Sequence, residues 1–189
     1  MPTAQEILDT FLGINGYSID VQNTEFKDND IMTAVIGIKP LDKMQAVCDG
    51  CGLEVTVIKD RRRRYFRDKP VFNWKVYLRV ERRRVVCPHC GVRSERLPFV
   101  DGRSHFTRRF ERMVFDDSIE QTIAAAAKKH DISWHQAARI EYAALERYDL
   151  ERGPLRTVNW LGVDEICFGR KKNIYTIVSD LENCAVIGM

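Results

Sequence analysis

Two short motifs constrain this chain more than anything else in it: Cys48-Asp-Gly-Cys51-Gly and Cys87-Pro-His-Cys90-Gly. A two-residue spacer lets a tight turn aim both sulfurs at one ion. The glycine that follows, Gly52 or Gly91, lets the backbone fold back so that amides face the thiolates. Two such pairs supply the tetrahedral four-sulfur shell that structural zinc prefers. The 35 residues between the pairs suit a zinc ribbon whose strands bring the two knuckles together. Four thiolates close the shell, so His89 reads as a surface group or as a group just outside the ligands. The metal reads as a scaffold with no open position for catalysis, and its loss should unfold so small a core. A redox Cys-x-x-Cys does not fit two pairs. Cys167 and Cys184 read as buried thiols.

The charge pattern says what that scaffold carries. The formal net charge is only +3, but residues 46–112 hold 18 basic and 8 acidic groups. The flanks are acidic, with 3 basic against 7 acidic groups in 1–45 and 9 against 12 in 113–189. The positive block coincides with the cysteines. It contains Arg61, Arg62, Arg63 and Arg64, then Arg67, then Arg82, Arg83 and Arg84, with Tyr65, Phe66, Phe72, Trp74 and Tyr77 interleaved. Concentrated Lys and Arg mark a polyanion binder, the alternative being a solvated basic face. Contacts of this kind go mainly to phosphates. No apolar run approaches the roughly 18 residues of a membrane span. The N-terminus lacks a signal-peptide pattern. The expectation is therefore a cytoplasmic protein with reduced cysteines and no membrane partner.

Along the chain, Thr3-Ala-Gln-Glu6 predicts a capped helix to about Leu12. Residues 17–25 and 31–39 read as two strands around the turn Lys27–Asp30. This makes 1–45 a small N-terminal α/β element, with the zinc ribbon over 46–100. Within the ribbon, Leu53–Ile58 and Val71–Val80 read as strands, and the Arg61–Arg64 run between them as an exposed loop. Phe106, Phe110, Met113 and Val114 fall on one helical face. Ser118 is expected to open a second helix with apolar face Ile119, Ile123, Ala126 and Ala127. Ser133, with Gln136 three residues on, is expected to cap a third. Residues 101–152 thus read as a three-helix helix-turn-helix, ending at Gly153-Pro154. Its third helix would enter the major groove. The outward candidates are Ser133, His135, Gln136 and Arg139, with Gln suited to adenine and Arg to guanine. Arg108 and Arg109 on the first helix are candidate phosphate contacts, and Trp134 reads as packed between helices. Three-helix bundles that bind no nucleic acid are the competing reading. Beyond this, Val158–Phe168, Ile174–Asp180 and Ala185–Met189 read as strands, with turns at Gly169–Asn173 and Leu181–Asn183.

The order of parts carries a resemblance. Arg-Arg-Arg-Val-Val-Cys-Pro-His-Cys-Gly (82–91) is followed by Phe-Thr-Arg-Arg-Phe-Glu (106–111), the helix-turn-helix, then Leu-Gly-Val-Asp-Glu (161–165). This resembles the ISL-three family of insertion-sequence transposases over nearly the whole chain, most specifically 46–189. The resemblance implies that 155–189 begin an RNase H-like domain and that Asp164 is the first carboxylate of a DDE triad. The fold class is then multi-module α+β: N-terminal element, four-cysteine zinc ribbon, three-helix helix-turn-helix, and the first three strands of an RNase H-like fold. Such enzymes move phosphodiesters with two Mg ions, which need oxygen ligands from several carboxylates. Glu165 follows Asp164 directly and would face the opposite side of a strand; Asp180 reads as a turn residue.

The resulting expectation is a DNA-binding front part of a transposase. It would recognise terminal inverted repeats in double-stranded DNA, with structural zinc, with Mg only in a complete catalytic domain, and inactive alone. A homodimer would suit pairing of two ends. The alternatives are a transposase-derived regulator, a subunit completed by another chain, and a protein-contact zinc module.

Overall fold

The computed structural model describes residues 3–27, 32–42, 44–152, 157–168 and 173–188. The expected turn residues Asp28–Asp30 and 169–172, and the Gly153-Pro154 boundary, lie outside them. The chain divides into two compact units, 1–141 and 142–189.

In the first unit, α1 (Ala4–Leu12) starts on the predicted capping box: Thr3 Oγ1 accepts from the Glu6 amide at 3.2 Å, and the Glu6 carboxylate accepts from the Thr3 amide at 2.7 Å. β1 (Tyr17–Lys27) and β2 (Thr33–Pro40) form an antiparallel pair. β3 (Ala46–Val47) and β4 (Glu54–Val55) form a small ladder around the first cysteine pair. β5 (Ile58–Val71) and β6 (Trp74–Cys87) make a long hairpin closed by Phe72 and Asn73, and β7 (Gly91–Ser94) pairs with the end of β6. The order is β1-β2-β6-β5, with β2 parallel to β6 from Thr33↔Lys75 to Ile38↔Val80. Residues 1–45, read from sequence as a module preceding the ribbon, therefore share a sheet with it.

Period-2 alternation explains the choice of faces. Val76, Leu78 and Val80 on β6 are buried, and they meet Phe66, Tyr17, Ile38, Leu97 and Phe99 in one core. Burying each such side chain contributes roughly 1.5–3 kcal/mol. The Arg61–Arg64 run is not a loop. It lies within β5, paired with Val80–Arg83 of β6, with all four side chains exposed. Backbone pairing across two 14-residue strands supplies the order that composition alone does not announce.

Three helices follow: α2 (Arg108–Glu120), α3 (Ile123–Lys129) and α4 (Trp134–Arg152). Phe106, Phe110, Val114, Ala127, Ala137 and Ile140 form their core. Ser118 does not open the second helix; it sits in the last turn of α2 and donates to the Phe115 carbonyl at 2.8 Å. Gln121 is extended, and Thr122 caps α3 by accepting from the Ala125 amide at 3.2 Å. The start shifts because Thr122 satisfies α3's free amides. Ile119 is consequently exposed. The Ser133 cap is as expected: Ser133 Oγ accepts from the Gln136 amide at 3.2 Å, and the Gln136 side-chain oxygen accepts from the Ser133 amide at 2.9 Å.

In the second unit, β8 (Leu161–Phe168), β9 (Asn173–Asp180) and β10 (Ala185–Gly188) form an antiparallel meander in the order β10-β9-β8. Asp180 accepts from the Glu182 and Asn183 amides, holding the turn into β10. Cys167 and Cys184 are exposed, contrary to the buried reading. Cys184 belongs to that turn, at φ 50°, and Cys167 shares β8 with exposed Leu161 and Val163. No described helix is long and apolar enough to cross a membrane.

Candidate metal centre and nucleic-acid interface

The four predicted cysteines converge. Their sulfurs all lie within 4.8 Å of one another, with Cys51 and Cys87 at 3.5 Å. A tetrahedral zinc with bonds of about 2.3 Å requires sulfur–sulfur edges of roughly 3.8 Å, so the donor set fits the ion in chemistry and spacing. The knuckles are built as their glycines require: Gly52 and Gly91 have φ of 77° and 68°, and the Gly52 amide donates to the Cys48 carbonyl at 2.9 Å. Gly50 has a different reason. A Cβ there would lie 3.1 Å from Cys90 Sγ, inside the metal cradle. Cys48 and Cys87 are buried with Ala46, Val55 and Val85. His89 is exposed. The amide of Cys51, aided by that of Gly50, pulls the Cys48 thiol down to about 7. Cys90 is pushed up to about 12, first because its proton is held against Cys51, then by burial. Four crowded thiols resist ionising together, and a dication is what reverses that. Among the described residues, these cysteines are the one group of three or more His, Cys, Asp or Glu side chains placed to hold a metal.

The arginines separate into two kinds. Alternation along β5 sends Arg62 and Arg64 to one face, where they join Arg82, Arg84 and Ser94 around a shallow cavity of about 160 Å³. Arg61 and Arg63 line a cavity on the other face with Asp20 and Lys39. Asp60 pairs with Arg84 at 2.8 Å, and Arg82 donates to the Glu95 carbonyl at 2.6 Å. Arg62 stands directly opposite Arg82, and each has a carboxylate nearby, Asp60 at 3.8 Å from Arg62 and Asp49 at 3.6 Å from Arg82. Arg83 instead turns inward. It is 8% exposed, bonded at 2.6 Å to Glu95, which is itself 2% exposed, and it donates to the Met44 carbonyl. Arg109 also serves the interior, held by buried Asp68 and the Leu12 carbonyl. Arg108 is exposed and pairs with Asp101.

On α4, His135 and Arg139 are exposed. Trp134, expected between helices, is 52% exposed and stacks edge-on against His135 at 5.3 Å. Ser133 and Gln136 are engaged with each other's backbone, so they set where the helix starts. Ser133→Ala is expected to cost about 1 kcal/mol, read as a lower denaturant midpoint.

A feature with little sequence signal joins the two regions. Arg67 on β5 donates to the His130 carbonyl at 3.0 Å and lies over the Phe110 and Tyr77 rings. Lys75 on β6 forms an ion pair with Asp131, and this hydrogen bond holds the Asp131 carboxyl below the usual range. Asp117 is likewise held low, first by its hydrogen bond from Lys129, then by His130. The turn between α3 and α4 is thus fastened to the hairpin that displays the arginine run.

Residues 45–96 match the family described as the zinc-finger of transposase IS204/IS1001/IS1096/IS1165, and residues 95–143 match the helix-turn-helix domain of transposase family ISL3. The chain belongs to the ISL3 transposase family. A transposase for insertion sequence element IS1001 from Bordetella parapertussis is 26% identical over 93% of this chain. The chain spans 43% of that relative's length. No solved structure matches. In this ISL3 chain Asp164 lies mid-β8, exposed, opposite Ile177, and accepts from the Glu165 amide at 2.8 Å.

Proposed function

We propose that this ISL3 chain binds duplex DNA in the cytoplasm and recognises transposon ends. The β5–β6 arginines lie along phosphates, and His135 and Arg139 at the start of α4 reach base edges in the major groove. The supporting observation is the Arg67–His130 and Lys75–Asp131 fastening, which holds the helix-turn-helix at a fixed position on the basic hairpin. Phosphate contacts then set the register from which α4 reads sequence. Zinc supplies the rigidity that keeps the arginine-bearing strands in place. Arg83 and Arg109 belong to that framework; Arg62, Arg64, Arg82, Arg84 and Arg108 meet the backbone, and Arg61 and Arg63, on the opposite face, add to the positive field around it.

We also read 155–189 as the opening strands of an RNase H-like catalytic domain, with Asp164 its first carboxylate. Asp164 is outside any carboxylate cluster among the described residues, so strand transfer with Mg requires carboxylates from beyond these strands or from another chain.

Salt dependence tests the interface. The slope of log affinity against log salt should fall by about 0.9 for each phosphate contact removed. Arg62→Ala with Arg64→Ala should therefore flatten it by about 1.8 while leaving the preferred sequence unchanged. Arg139→Ala should weaken the preferred site by about 1–3 kcal/mol and leave the slope nearly intact. An unchanged slope in the double arginine variant rejects the β5 assignment.

A further inference from the structure

The tip of the β5–β6 hairpin carries a bulky ring where the backbone favours glycine or asparagine. The Val71↔Trp74 pair closes the hairpin over two residues, and the first of them, Phe72, has φ 52°. A left-handed backbone is strained for a bulky side chain, and two-residue hairpins normally place Asn, Asp or Gly there. The Phe72 ring is 94% exposed, and neighbouring Val71 is 52% exposed. Strain combined with exposure of an apolar ring points to function.

Its location limits the partner. Phe72 precedes Lys75 by three residues, and Trp134 follows Asp131 by three, so the hairpin tip and the first turn of α4 flank the Lys75–Asp131 ion pair. Lys69 is exposed on the approach to the tip, and Arg61–Arg64 stand at the far end of the same strand, roughly 26 Å or more from Phe72. An apolar ring at the end of a cationic ribbon matches the wedges that proteins insert between base pairs, where phosphates meet the cations and the ring meets base faces.

We propose that Phe72 is an intercalating wedge: it enters the duplex beside the segment read by α4, partly unstacks one base step and kinks the DNA. This rests on the DNA-binding reading above.

The test uses the zinc-loaded full chain and a duplex of about 30 base pairs, roughly three helical turns, selected by that chain from a random pool. 2-Aminopurine is moved one position at a time along the duplex. The wild type is expected to raise fluorescence at one step. Phe72→Gly should abolish that rise and weaken binding about tenfold, the scale of one lost stacking contact, while raising Tm because backbone strain is relieved. Phe72→Trp should retain the rise. If the wild type binds with no unstacked step, or Phe72→Gly keeps the rise, the wedge is wrong and the DNA-binding reading stands. If the wild type selects and binds no duplex, both fall. If Phe72→Gly turns a dimer into a monomer in sedimentation and unstacking is unaffected, Phe72 is instead a contact between copies.

Discussion

Stripping zinc from this chain is expected to abolish its cooperative unfolding transition, not merely lower the midpoint. Structural zinc in four-ligand sites contributes on the order of 10–16 kcal/mol of apparent binding free energy. Whole domains are stable by about 5–15 kcal/mol. Geometry determines how far the loss spreads. Cys87 is the last residue of β6, and the same strand holds Val76, Leu78 and Val80 in the main core. The knuckles also tie β7 down, through Asp49 N to the Ser94 carbonyl at 3.1 Å and Arg96 N to the Val47 carbonyl at 2.7 Å. Elemental analysis should give one zinc per chain. A chelator, or Cys87→Ser, should remove the near-ultraviolet dichroism signal and the transition together. Cys167→Ser should change neither. A metal-free Cys87→Ser chain that melts cooperatively at the wild-type temperature would refute a structural role for the ion.

The cysteine site was legible because its requirements are local: two residues between sulfurs, then a glycine. Caps at Thr3 and Ser133 were legible for the same reason. The arginine run misled because four like charges suggest a loop, whereas its order comes from a partner strand about twenty residues away (Arg62 opposite Arg82). Ser118 and Thr122 both carry capping side chains, and only the packing of Val114 and Ala127 into one core selects between them. The parallel pairing of β2 with β6 has no signature in either strand. Nor did charge alone divide the arginines. Arg83 and Arg61 look alike in sequence, yet Arg83 meets buried Glu95. Glu95 and Asp68 are each flanked by polar or basic neighbours, so their burial comes from the packing of the sheet and has no local signature.

Asp68 carries the second large expected effect. It is 1% exposed, and it accepts from Thr107 Oγ1 at 2.6 Å and from Arg109 Nε at 2.6 Å. Thr107 also caps α2, accepting from the Phe110 amide at 3.2 Å. Arg67 bonds His105 and Thr107 through its backbone on either side. One carboxylate thus fastens the first of the three helices to β5. Breaking a buried pair costs about 3–5 kcal/mol because a charge is left uncompensated. The two ends differ. The Arg109 side chain is 38% exposed and can turn to water, but Asp68 cannot. Arg109→Ala should therefore destabilise by at least as much as Asp68→Ala, which is expected near 3 kcal/mol. The double variant should cost less than the sum, with a coupling of about 0.5–3 kcal/mol. Because α2 and α4 share one core, loosening α2 also displaces α4, so both single variants should lose DNA affinity at temperatures where they remain folded, with the salt slope retained. Additive costs in denaturation, or Asp68→Ala with wild-type stability, would show that helix and hairpin are held together by apolar packing alone.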